Sequence, residues 1–185
     1  MTKLIRLSNI VFLDIEASGL GEGCYPIEVG LVHASTLIGW SALIRPAVVW
    51  RDGGVWDDGA EDLHGIGQSQ LDAEGWDVMD VARALNEALG GKAVFSDAPE
   101  FDRHWLDMLF EETVIEPAFH LRSVTTLIKG GPALVAVDAP IPAAAAEPSP
   151  PSRHRAKDDA MALALAFWKT LVVPESLILF KPPQD

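Results

Sequence analysis

The stretch VFLDIEASGL, Val11 to Leu20, constrains the fold more than any other part of the chain. Apolar β-formers occupy both alternating faces of Asn9–Glu16, the pattern of a strand buried in the middle of a sheet. Yet Asp14 and Glu16 sit at its end. Residues two apart in a strand face the same side, so these carboxylates project together beside Ile10 and Phe12. Two such groups close together in a partly apolar place repel each other. Either one takes a proton or a cation lies between them. Hard oxygen ligands suit Mg²⁺ or Mn²⁺. The alternative from this stretch alone is that the strand ends at Leu13 and both acids are solvated.

The elements that follow set the architecture. Ile27–Ala34 and Leu37–Arg45 read as strands joined through Ser35 and Thr36, a connection short enough for an antiparallel hairpin. Pro46–Ala60, with Gly53, Gly54 and Gly59, reads as a loop. Asp77–Leu89 has helical periodicity, with Asp77 as N-cap and Gly90-Gly91 as stop. Ala93–Ser96 is a short buried strand. Pro99–Glu111 is a helix whose inner stripe is expected to be Phe101, Trp105, Met108 and Leu109. Phe119–Leu121 and Val124–Ile128 suggest one more strand and helix. Residues 131–152 are rich in proline and alanine and read as a loop, Pro142 and Pro148 crowding the alanines too closely for a stable helix. A last helix spans about Arg155–Leu171, and the proline-containing tail is expected to pack along the surface. The order β-β-β-α-β-α-β-α gives an α/β fold: a mixed five-stranded sheet with helices on both faces, expected to form a single domain over residues 1–185.

Charge narrows the function. The net charge is −13, which disfavours general binding of duplex nucleic acid but not an enzyme that grips one strand end. A single cysteine, Cys24, allows no internal disulfide. With no signal-like or membrane-spanning stretch, a cytoplasmic protein without membrane contact is expected.

Two further acids stand out. Asp159 lies over the apolar stripe of the last helix, where a carboxylate needs a partner, unless it only complements the helix dipole. Asp102 follows Phe101 early in its helix. Asp97, at the preceding strand end, competes with it but reads more simply as an N-cap near Pro99. His154 precedes Asp159 by five residues, so on one continuous helix the two would diverge by about 140°. Both address one site only if His154 stands in the turn before the helix.

Taken in order, these segments resemble the DEDDh family of 3′–5′ exonucleases, which have a ribonuclease H-like fold. Asp14-Ile-Glu16-Ala17-Ser18-Gly19-Leu20 is similar to that family's first motif, with Ala-Ser in place of the usual Thr-Thr. PIEVGLV (Pro26–Val32), LHGIGQSQL (Leu63–Leu71), Phe101-Asp102 and HRAKDDAMA (His154–Ala162) resemble the segments that follow. The resemblance implies two divalent ions, Mg²⁺ or Mn²⁺, held by Asp14, Glu16, Asp102 and Asp159, with His154 as general base. The implied substrate is a 3′ end of single-stranded DNA or RNA, released as nucleoside 5′-monophosphates. Ala17, Gly19, Leu20, His64 and Ile66 would meet the terminal nucleotide, and Arg103 and Arg155 its phosphates. Trp105 could stack on a base, but its helical position favours core packing. The competing reading is a catalytically silent module that keeps the fold and recruits a protein partner, with the proline-rich loop as a contact.

Overall fold

A computed structural model describes residues 4–130, 135–140, 142, 145 and 154–171. Its main sheet has five strands: β2 (Ile10–Ala17), β3 (Pro26–His33), β4 (Gly39–Leu43), β5 (Ala93–Ser96) and β6 (Leu121–Ser123). They lie in the order β4-β3-β2-β5-β6, so β2 is central, as its apolar faces require. The β2–β3 and β3–β4 pairs are antiparallel; β5 and β6 run parallel to β2. This is the expected mixed α/β sheet of ribonuclease H-like type. A two-residue strand β1 (Ile5–Arg6) pairs in parallel with β7 (Val135–Ala136), a strand inside the stretch expected to be loop. Most of the rest of 131–152, and the tail from 172, lie outside the described residues.

Alternation along β2 divides the core in two. Val11 and Leu13 pack with α4 (Val78–Leu89) and α5 (Pro99–Glu111) on one face. Ile10 and Phe12 pack on the other with α7 (Ala156–Thr170), where the Phe12 and Phe167 rings lie 5.4 Å apart. Asp14 and Glu16 continue the second row, so the period of two carries them to the α7 side. The N-cap of α4 is Asp77, accepting from the Met79 N–H at 2.9 Å.

Glycine 30 decides how close α7 can come. It lies on the α7 face of β3, and a Cβ there would overlap the Lys157 nitrogen and the Ala156 carbonyl carbon. Without one, the first turn of α7 rests directly on the sheet, and Ala156 is wholly buried.

Several expectations require correction. The 46–60 segment is not only loop: α1 (Val48–Gly53) and α2 (Asp58–His64) lie within or overlap it, and α3 (Gln68–Glu74) follows. Phe101 is not on the inner stripe of α5 but 54% exposed, whereas Leu106 and Phe110 are buried. The strand expected at Phe119–Leu121 lies at Leu121–Ser123, and the helix expected at Val124–Ile128 is α6 (Thr125–Gly130). No helix among the described residues is long and apolar enough to cross a membrane.

Candidate active site

The ends of four elements meet beside the sheet. The end of β2 brings Asp14 and Glu16, the end of β5 and start of α5 bring Asp97 and Asp102, and the start of α7 brings Asp159. Their carboxylates form two groups sharing Asp14: Asp14, Glu16 and Asp159, and Asp14, Asp97 and Asp102. Within each group one oxygen from every residue lies within 4.8 Å of the others. The four acids expected from the sequence are therefore together. Asp97 joins them, which corrects its reading as a helix cap. The N-cap of α5 is Ala98, and Asp97 is left exposed to the cleft.

Crowding and burial together shift these groups. Burial, reinforced by the charges of Asp102, Glu16, Asp159 and Asp97, pushes Asp14 up to about 9. Burial, then Asp159 and Glu28, pushes Glu16 up to about 7. Asp102 is 2% exposed. Burial raises it to about 6, although the hydrogen bond from Ser96 Oγ opposes the shift. The Ser96 hydroxyl also accepts from the Ala98 N–H at 3.0 Å, so it fixes both the helix start and the carboxylate. Such a concentration of carboxylate oxygens fits the donor chemistry of a hard divalent cation.

His154 lines the same cleft, a space of about 540 Å³ bordered by Asp14, Glu16, Asp97 and Asp159. It stands outside the helix, two residues before Ala156, which is the placement its spacing to Asp159 demands. Its φ is 49°. That left-handed conformation costs a non-glycine residue about 1–3 kcal/mol and persists only where neighbours impose it.

Arg155 is the N-cap residue of α7, and its guanidinium is engaged with Glu28 on β3. Nε donates to Oε2 at 2.9 Å and Nη2 to Oε1 at 2.8 Å, while the Ala156 N–H also donates to Oε2 at 3.0 Å. Hydrogen bonding to Glu28 holds the Arg155 charge more firmly than usual. The expectation that Arg155 meets substrate phosphate is thus redirected: its fork is already used. The sequence marks Glu28 only as part of a strand. The signal that could have found it is the one that found Asp14, an acid inside an apolar run.

The other expected substrate contacts divide. Leu20 is 77% exposed beyond the end of β2. Ala17 is nearly buried against Cys24 and Trp105, confirming Trp105 as core. Gly19 is tightly enclosed: a Cβ would lie 2.8 Å from Cys24 Sγ. Ile66 is wholly buried in the core, which corrects its assignment as a base contact. His64 is also buried; its Nδ1 accepts from the Ile66 N–H at 3.0 Å, Nε2 has no hydrogen-bond partner among the described residues, and burial lowers its pKa. Arg103 donates to the Leu121 carbonyl at 3.1 Å and borders a different cleft. Ser18, unassigned in the sequence, is fully buried and ties this region together. Its Oγ donates to the Val55 carbonyl at 2.7 Å and accepts from the Tyr25 N–H at 3.0 Å.

No family model and no curated protein matches the sequence. Solved structures do share its fold. The zinc-bound complex of E. coli exonuclease I with single-stranded DNA aligns with a TM-score of 0.61 at 16% identity, over 87% of this chain and 39% of the other. The complex of the same protein with a dT13 oligonucleotide gives 0.60 at 12% identity, over 86% and 40%. Its dA16 complex gives 0.52 at 15%, over 62% and 27%. This chain therefore spans two-fifths or less of the length of that protein. At such identities the likeness establishes a common fold.

Proposed function

We propose that this chain is a metal-dependent 3′–5′ exonuclease that hydrolyses single-stranded DNA or RNA from its 3′ end and releases nucleoside 5′-monophosphates. The observation that carries this reading is the pair of carboxylate groups hinged on Asp14, opening into a cleft beside His154. Asp14, Glu16 and Asp159 would hold one divalent ion; Asp14, Asp102 and Asp97 would hold the other. Such ions, when bound, supply an acidified water and neutralise charge at the scissile phosphate and leaving oxygen.

The residues of the chain perform the remaining tasks. His154 takes the proton from the attacking water. The Ser96 hydroxyl orients Asp102 from behind. Leu20 presents apolar surface to the terminal base. A net charge of −13 disfavours binding along a polyanion, so attraction for a strand would come only from cations held locally in the cleft. The structurally similar exonuclease I is seen with single-stranded DNA, which makes short DNA the first substrate to test.

The test is a digestion panel of 5′-labelled DNA and RNA, single- and double-stranded, with Mg²⁺ or Mn²⁺. A ladder shortening from the 3′ end, absent in EDTA and absent for Asp14→Ala, is expected. No shortening of any strand in either metal would overturn the proposal and favour a silent binding module.

A further inference from the structure

Glu28 is 2% exposed, and among the described residues its carboxylate accepts hydrogen bonds from residues 155 and 156. These residues sit between His154 and Asp159, two of the groups that line the cleft. On the other side Glu28 is the direct cross-strand partner of Glu16. Two residues along the same face, Gly30 lets the backbone of Ala156 and Lys157 settle on β3. The start of α7 is thus located twice, by contact at Gly30 and by a charged fork at Glu28.

We infer that Glu28 is a positioning residue: through Arg155 and the Ala156 N–H it sets where His154 and Asp159 stand relative to Glu16. Three features converge on this role. A bidentate guanidinium–carboxylate pair fixes orientation as well as distance. The backbone at His154 holds a left-handed φ that its own preferences do not favour, and the adjoining Arg155 is where it is anchored. The ladder register makes Glu28 a neighbour of Glu16, so Arg155 also offsets a second negative charge beside a ligand that must receive a cation. Glu28 acts only through Arg155 and Ala156 and need not touch substrate.

Its catalytic consequence rests on the nuclease reading; its geometry does not. The experiment therefore pairs hydrogen exchange with Mn²⁺ calorimetry and kinetics on the full chain, for wild type, Glu28→Gln, Arg155→Lys, and Glu28→Gln with Arg155→Met. The variants are expected to stay folded by thermal unfolding, with amide exchange across 154–159 about tenfold faster. Mn²⁺ affinity and kcat should fall about 10- to 100-fold, as for other supports of metal ligands, with KM within about twofold of wild type. The double variant should be no worse than Glu28→Gln alone, because both changes remove one contact. Wild-type exchange and Mn²⁺ affinity in Glu28→Gln, or a loss confined to KM, would overturn the assignment. If Glu28→Gln does not fold, Arg155→Lys, at a side chain 37% exposed, carries the same readouts, and wild-type values for it are equally decisive. A wild-type protein that releases no nucleotide would fail the nuclease reading, while the exchange data would still decide the role of Glu28.

Discussion

Glu16 and Glu28 stand directly opposite each other across the β2–β3 ladder, and Arg155 is bound to Glu28. The sheet therefore places two acids side by side and neutralises one of them from α7. The other faces Asp14 and Asp159, where nothing among the described residues of the chain forms an ion pair with it. Ionising all three of these carboxyl groups therefore works against the fold.

The pH dependence of stability follows from that conflict. Asp14, Glu16 and Asp102 have carboxyl groups raised to about 9, 7 and 6. Folding therefore favours their protonated forms. The stability this gives is fully present below the ordinary carboxylate range and is lost as pH rises through those three values. In EDTA, Tm should fall steadily between about pH 5 and 9, and Mg²⁺ should restore most of it at the alkaline end. A thermal-melt series with and without the ion checks both; a Tm in EDTA independent of pH would contradict the shifts.

Cation binding should displace protons for the same reason. At pH 7, titration with Mn²⁺ in two buffers of different ionisation enthalpy should show net proton release, reduced in Asp14→Asn. Identical heats in the two buffers would argue against a protonated Asp14.

Removing the base should separate chemistry from ion binding. His154→Asn is the suitable change, since asparagine tolerates the left-handed φ better than most residues. The expected loss is about 10²–10⁴-fold in kcat, with Mn²⁺ affinity close to wild type by calorimetry. An equal loss of Mn²⁺ affinity would make His154 a structural support instead.

Gly30→Ala should unseat α7. The new methyl group would overlap backbone atoms of Ala156 and Lys157, which cannot rotate aside. Destabilisation of about 1–3 kcal/mol is expected from overpacking, along with weaker Mn²⁺ binding because Asp159 moves with the helix. Denaturant unfolding and calorimetry measure the two effects.

Much of this organisation was legible in the residues because strand alternation and helix periodicity are strong signals. The β2 pattern put Asp14 and Glu16 on one face beside Ile10 and Phe12, and the spacing to Asp159 required His154 to stand ahead of the helix, as it does. What escaped had weaker or misleading local signals. Helices α1 and α2 are six and seven residues long, too short for a stripe, and lie in a stretch whose glycines imitate a loop. Asp97 sits two residues before a proline, where a cap is the natural reading; only the packing of β5 beside β2 brings it to Asp14. His64 and Ile66 were expected to meet the terminal nucleotide, whereas the end of α2 and the turn after it bury both. Arg155 was expected to face a phosphate; its partner Glu28 is 127 residues away in the chain, beyond any local pattern.

Anomalous scattering from crystals equilibrated with Mn²⁺ tests the central claim most directly. Two peaks are expected, both within coordination distance of Asp14, one toward Glu16 and Asp159 and one toward Asp97 and Asp102. A map with no peak at Asp14, at Mn²⁺ concentrations that saturate the calorimetric titration, would contradict it.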